Sequence, residues 1–287
     1  MWAIFQRELK SYFNGFIAWI TAAVLLLFAG IFTMYYNLVN ATPYFEYVIG
    51  NMGFIYLLVV PLLSMRVIAE ERKQKTDQLL YALPMGMRQI VLGKYFAQLV
   101  VIALPIGVMC LYPLLLTMYG TINLASAYSC LFAFFFMGAA LLAVGFFLSS
   151  LTENQAIAAG LSFLVLLLNY YLPSLAVYVP STASASWTAL SLVILLIGIV
   201  LYFLTKNGVF ALALTLVAEA ALFIWDKISA ESFEGLFSDF IGQLSVFDHF
   251  YVFTDGVFDL STLLYFTMIA FLFLFLSVQS LEKRRWS

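Results

Sequence analysis

The 287-residue sequence predicts an all-α, polytopic membrane protein, and three observations carry that prediction. Apolar types make up 64% of the chain and charged types only 10%, against about 25% charged in an ordinary globular domain. A soluble fold of this size could neither bury so much apolar surface nor cover its exterior with so few charges. The charges are also spaced as membrane spans require. No Asp, Glu, Lys or Arg occurs in 11–45, 47–65, 95–152, 154–205 or 260–281. One bilayer crossing takes about 20 apolar residues, so each of the two longest gaps holds two spans and a turn.

Eight apolar segments follow in order, at 16–36, 53–69, 89–118, 126–149, 155–175, 187–205, 208–225 and 260–281. They make residues 1–287 one transmembrane domain of about eight helices. Short cytoplasmic loops retain Lys and Arg, which sets the orientation. With the N-terminus inside, twelve of the thirteen basic residues lie on the cytoplasmic side and only Lys227 lies outside. Both termini are then cytoplasmic. Pro61, Pro105 and Pro113 sit within spans, and each removes a backbone donor and is expected to kink its helix.

Several function classes drop out on composition. A net charge of −2 offers no basic field for nucleic acid. Cys110 and Cys130 lie inside apolar runs and read as packing residues, with neither disulfide nor zinc spacing. The single histidine, His249, cannot build a multi-histidine metal site. The run from Phe16 to Tyr36 is too long for a cleavable signal and lacks a small-residue cleavage site.

Ahead of the first span, Trp2, Phe5, Leu9, Tyr12, Phe13 and Phe16 recur at helical spacing, with Arg7, Lys10, Ser11 and Asn14 opposite. Residues 2–14 therefore predict an amphipathic helix in the inner interface, ending near Asn14-Gly15. It serves either as an anchor or as a contact for a cytoplasmic partner.

The densest polar stretch is Glu70-Glu71-Arg72-Lys73-Gln74-Lys75-Thr76-Asp77-Gln78, followed by Leu79-Leu80-Tyr81-Ala82-Leu83 and then Pro84. With no breaker before Pro84, residues 70–84 predict a helix running past the membrane or lying across it. Leu79, Leu80 and Leu83 suit docking into a groove of a soluble partner, with the charges as rim. The competing reading is a solvated topology anchor. A second inner element, 149–155, reads as a tight turn in which Ser150 and Glu153 form a capping box.

Residues 227–258 are acidic and aromatic. Phe233, Leu236, Phe237, Phe240, Ile241 and Leu244 predict an amphipathic helix in the outer interface, followed by an aromatic turn through Phe247–Tyr251. Glu219 is the one acid expected well inside a span. By analogy with Asp it would cost about 2.5–3.5 kcal/mol at the bilayer centre, so it should face the bundle, a partner or water. It is a candidate for the translocation path, with a structural role as the alternative.

Three of these stretches resemble the permeases of type-2 ABC exporters, the ABC-2 family. Glu70, Thr76, Leu79, Leu80 and Pro84, with Leu92-Gly93-Lys94 after them, are similar to the family's cytoplasmic coupling region. Trp2–Tyr12, with Arg7-Glu8-Leu9, resembles its interfacial N-terminal helix. Phe253, Gly256, Asp259, Tyr265 and Leu281–Trp286 resemble the ending of the gliding-motility-associated subgroup. The likeness is weakest over 175–226. It implies a six-span core, to which 187–225 would add an extra hairpin suited to an accessory subunit.

The resemblance further implies a multi-pass permease subunit of the bacterial cytoplasmic membrane, not itself an enzyme. A second permease half, identical or related, would complete the pathway. Each half would sit on a cytoplasmic ABC ATPase subunit, contacted through Glu70, Glu71, Arg72, Thr76, Leu79, Leu80, Leu83 and Pro84, and again at Glu153 and Asn154. An accessory subunit with an extracytoplasmic domain and membrane lipid are further expected partners. No cofactor is expected in this chain, ATP and Mg belonging to the ATPase. The sequence agrees in having no Walker-A pattern, since Gly93-Lys94 lacks the upstream glycine and opens an apolar span.

Export and mechanical work without a cargo are equally compatible with these residues. An ion-coupled secondary transporter would want more ionisable groups at mid-membrane than Glu219, and an internal repeat. An intramembrane protease of the paired-glutamate type would want an Arg where Lys75 stands, and histidines besides His249.

Overall fold

The computed structural model describes residues 1–75, 86–178, 182–205, 208–228 and 234–285, and every regular element among them is helical. The chain forms two compact units, Met1–Tyr170 with Val246–Ser287, and Tyr171–Ser245. Six stretches are long and apolar enough to cross a membrane: Phe16–Val39, Glu46–Lys73, Met87–Leu116, Leu124–Leu151, Gln155–Val177 and Leu260–Lys283.

In the first unit, α1 (Trp2–Asn14) leads into α2 (Phe16–Thr33), which closes in a π-helical turn, Met34–Val39. The second span is built from α3 (Glu46–Met52), a 3₁₀ turn (Gly53–Ile55), α4 (Tyr56–Ser64) and α5 (Ala69–Lys73). The third is α6 (Met87–Met109) followed by α7 (Leu111–Leu116). Then come α8 (Leu124–Leu151) and α9 (Gln155–Val177), and after the second unit α13 (Val246–Thr254) and α14 (Leu260–Arg285).

Helix α8 is the core of this unit, with Ala127, Cys130, Phe134, Met137 and Leu141 among its buried residues. Inside a bilayer, helices gain little from apolar burial against one another and associate through close van der Waals fit. Gly138 and Gly145 supply that fit. A Cβ on Gly138 would lie 2.6 Å from Cζ of Tyr56, and one on Gly145 would lie 2.9 Å from Cβ of Ser64. The Tyr56 ring stacks on Phe134 at 4.5 Å, and its hydroxyl donates to the Phe134 carbonyl at 3.1 Å. On another side α14 packs along α8, with Phe147 and Phe273 in ring contact.

Several sequence expectations change here. The second span begins at Glu46, seven residues before the expected start at 53, and Glu46 is only 3% exposed. The stretch Phe247–Tyr251 is part of a helix instead of a turn. Phe247, Phe250 and Phe253 recur every three residues, and all are buried. Backbone N–H of Val246 is capped by Asn169 Oδ1 at 3.0 Å. Of the three prolines, Pro105 lies within an unbroken helix, Pro61 lies inside α4, and only Pro113 adjoins a break, at Cys110. The Cys110 carbonyl accepts instead from the Tyr128 hydroxyl at 3.1 Å.

The second unit contains α10 (Ala183–Thr205), α11 (Gly208–Ile228) and α12 (Leu236–Gln243). The first two form a helical hairpin in which a Cβ on Gly198 would collide with the Thr215 side chain. Their described apolar stretches are Ala183–Leu195 and Leu212–Phe223. Helix α12 starts at Gly235, whose φ of 75° suits only glycine without strain. Ser238 Oγ donates to the Ala176 carbonyl at 3.0 Å. Of the predicted outer helix, Phe233 lies outside the described residues.

Two predictions follow from this packing. Gly138→Leu should destabilise the chain by about 2–3 kcal/mol through overpacking against Tyr56, while Gly107→Ala, with open space around it, should leave thermal stability in detergent unchanged or slightly raised. Asp259 caps α14, and its contacts with the hydroxyls of Ser261 and Thr262 hold its carboxyl down at about 2. The folded value lies below the unfolded one, so the cap stabilises above the ordinary carboxylate range and is lost as pH falls towards 2. Between pH 4 and 2 the wild type should lose thermal stability relative to Asp259→Ala, narrowing the gap between them.

Candidate functional site

The polar stretch after the second span is held by a break in that span. Between α4 and α5 the ladder is interrupted at Met65–Ile68, where Val67 N–H turns back to the Ser64 carbonyl at 3.2 Å. The carbonyls this leaves without helical partners are taken up by side chains of other helices. Leu63 O accepts from Gln98 Nε2 at 3.2 Å and from the Tyr12 hydroxyl at 3.4 Å. Val67 O accepts from Lys94 Nζ at 2.8 Å. Side chains inserted into a helical ladder are a recognised cause of such interruptions. Burial pushes the Tyr12 phenol well up, with the Glu8 carboxylate acting in the same direction.

Lys94 is the centre of the site. It is 2% exposed, and its ammonium also meets Glu71 Oε1 at 2.8 Å and Glu8 Oε1 at 3.3 Å. Arg7 Nη2 contacts the same two carboxylates, Glu8 at 2.7 Å and Glu71 at 2.9 Å. Two cations and two anions thus close into a neutral cluster joining α1, α5 and α6. Burial pulls the Arg7 guanidinium down, and the Glu8 and Glu71 carboxylates outweigh it, so its net shift is upward. Gly93 makes the arrangement sterically feasible. A Cβ there would lie 3.2 Å from the Met1 carbonyl and 3.3 Å from Ile4. Leu92-Gly93-Lys94 therefore combines a seat for α1 with the charge that fastens it.

Other predicted residues find distinct places. Glu70 pairs with Arg66 at 2.8 Å and 3.2 Å and accepts from Gln74 at 3.3 Å. Arg72, 6% exposed, donates from Nη1 to the Thr152 carbonyl at 3.5 Å. The backbone N–H of Ala69 meets Ser149 Oγ at 3.4 Å. These two contacts bring α5 against the turn that carries Glu153 and Asn154, both exposed. The capping box expected there is replaced. Ser149 and Ser150 are buried inside α8, which runs on to Leu151, and the cap is Asn154, whose Oδ1 accepts from Ala156 N–H at 2.9 Å.

The unbroken helix expected over 70–84 is interrupted. Helix α5 ends at Lys73, and Lys75 adopts a φ of 57°, a left-handed conformation that stops a helix. Thr76, Leu79, Leu80, Leu83 and Pro84 lie outside the described residues. Glu219 belongs to the second unit, where it is half-buried and its Oε1 has no hydrogen-bond partner among the described residues.

The sequence reading missed Glu8, Lys94, Arg66, Ser149 and Thr152 as members of one site. A signal for Glu8 existed in the spacing Ile4, Glu8, Tyr12, the face by which α1 packs on α6, with Ile4 and Tyr12 buried. The apolar stripe chosen from sequence instead leaves Trp2 and Phe16 exposed.

Six long apolar helices, a close-packed central helix and a charged segment tied to three of its neighbours define a polytopic membrane protein. Residues 2–281 match the family described as ABC-2 family transporter protein. The chain belongs to that family, and is a multi-pass membrane protein of an ABC transporter system. Comparison with curated proteins gives no match. Permeases of this family generally work with cytoplasmic ABC ATPase partners.

Removal of Lys94 tests the linkage. Lys94→Ala should destabilise the protein by about 3–5 kcal/mol, because it leaves a buried charge cluster broken. It should also speed amide exchange across α1. Arg66→Ala removes a partly exposed pair and should cost about 0.5 kcal/mol. Equal effects from the two substitutions would show that the cluster does not hold α1.

Proposed function

We propose that this chain is the permease subunit of an ATP-driven exporter, with α5 and the segment after it receiving force from a separate ATPase. In this reading the basic end of the bundle is cytoplasmic and the α10–α11 hairpin adds two crossings, giving eight. The subgroup is the gliding-motility-associated one. A second permease half, identical or related, completes the pathway, ATP and Mg are bound by the ATPase, and an accessory subunit docks on the hairpin.

The single observation that most supports the reading is the bracing of α5. A five-residue helix on a solvated anchor needs no fixed partners, yet this one is tied to α1 and α6 through Glu71 and to the end of α8 through Arg72 and Ala69. A push on such an element is delivered to three helices at once. Glu153 and Asn154 adjoin it and form the second contact with the ATPase. Glu219 lies on the translocation path.

Reconstitution of the permease with its ATPase subunits tests this. Leu79→Asp should weaken ATPase association by about 30-fold, as expected for loss of a buried anchor worth about 2 kcal/mol, and abolish substrate-dependent ATP hydrolysis while membrane insertion persists. Unchanged association and coupling in that variant would remove the protrusion from the mechanism.

A further inference from the structure

At the end of the first unit that carries the ion cluster, α6 and α14 leave a groove of about 280 Å³ between them. Val91 and Leu92 line one wall, and Phe271, Leu274, Phe275 and Val278 line the other. The second set recurs at i, i+3, i+4 and i+7, so it forms a continuous apolar stripe about 10 Å long down α14. Arg88 closes the groove at the bundle's end, one turn before Val91 and Leu92.

Arg88 differs from its cationic neighbours. Arg7, Arg66 and Lys94 each have carboxylate partners, whereas Arg88 is exposed and forms no ion pair among the described residues. Glu282, one turn beyond Val278, is not within ion-pair distance of it. No acid occupies the first turn of α6 and no side chain caps it, so the positive end of that helix adds to the guanidinium instead of offsetting it. Lys283, near the end of α14, is exposed at the same end and raises its positive charge.

We propose that this groove binds one anionic phospholipid, with an acyl chain along the α14 stripe and the phosphate on Arg88. Charge and depth both select that occupant. A basic rim above an apolar cleft between spans is the arrangement that recognises acidic headgroups at a membrane surface. A soluble phosphate would leave the apolar wall without a partner. Another apolar groove of this unit, between Trp2 and Phe5 of α1 and Phe96 and Leu99 of α6, has no charged side chain in its lining, where Met1 supplies only the chain's amino terminus. The proposal is independent of ATPase coupling, and its failure would leave that reading untouched.

Native mass spectrometry of the full chain in non-ionic detergent, with dioleoyl phosphatidylglycerol against dioleoyl phosphatidylcholine, tests it. The wild type should retain the anionic lipid about fivefold over the zwitterionic one, the effect expected of one arginine at a membrane surface. Arg88→Gln should bring the ratio close to one, and Arg88→Lys should keep most of it. Leu274→Trp, which fills the groove, should lower retention of the anionic lipid with Arg88 intact. Wild-type retention without headgroup preference, or a preference that survives Arg88→Gln, overturns the proposal. Displacement of the lipid by millimolar inorganic phosphate also overturns it, because it reduces the site to a free-phosphate contact.

Discussion

A lysine ammonium at 2% exposure is affordable only with partners on every side, and those that Lys94 finds determine how one end of this protein is built. Two of them, Glu8 and Glu71, come from α1 and α5, two helices that precede α6 and lie far apart in the chain. The third is the Val67 carbonyl, which is available because the second span gives up helical geometry at Met65–Ile68. The interruption and the lysine therefore require each other. Without the break, Val67 O would be committed to its own helix. Without Lys94, that carbonyl would be left in a buried site with no donor, at a cost of about 1–3 kcal/mol. A buried ion pair is weak evidence for net stability, but it fixes register well, since any shift of α1 or α5 along α6 separates the carboxylates from a Lys94 ammonium that cannot reach water.

That local lock is continuous with the packing of the whole first unit. Ala69 and Arg72 tie α5 to the end of α8, and one to three turns back along the same helix Gly145 and Gly138 let α4 lie directly on it. The second span is thus held against α8 by hydrogen bonds at its basic end and by steric fit along α4. The irregular turn at Met65–Ile68 lies between these attachments. Contiguous networks of this kind carry coupling when their elements have two discrete arrangements, and a broken helix bridged by side chains is an element that can exchange partners without unfolding.

The architecture was legible because bilayer thickness writes itself into charge spacing. Gaps such as 95–152 admit only one arrangement of spans, and a helix ending at Gly15 follows from spacing and a breaker. The candidate site was legible in part. Glu70, Glu71 and Arg72 stood out by density, but what each does depends on residues far away in sequence. Glu71 answers to Lys94 and Arg7, while Glu70 answers to Arg66 one turn before it. No local pattern distinguishes those two adjacent glutamates. The capping box at Ser150 and Glu153 failed for a similar reason. Ser149 and Ser150 fit the local rule, yet tertiary contact extends α8 through them and passes the cap to Asn154. The second span starts at Glu46 instead of 53, because a carboxylate at a helix N-terminus is favoured by the dipole and can be buried there.

The basic residues that set the predicted orientation are not interchangeable once the fold is known. Lys94, Arg7, Arg66 and Arg72 are occupied with partners inside the first unit, so they contribute little to an outward field. Arg88 and the terminal Lys283 are exposed at the same end and remain available to what lies outside it. One rule of charge asymmetry thus conceals two physical roles. Cations paired internally hold α1, α5 and α6 in register, and cations left at the rim stay exposed at the bundle's end. The division follows from helix position, because a long side chain at Lys94 starts two turns inside α6 and must satisfy its charge within the protein, while Arg88 starts in the first turn and can satisfy it at the interface.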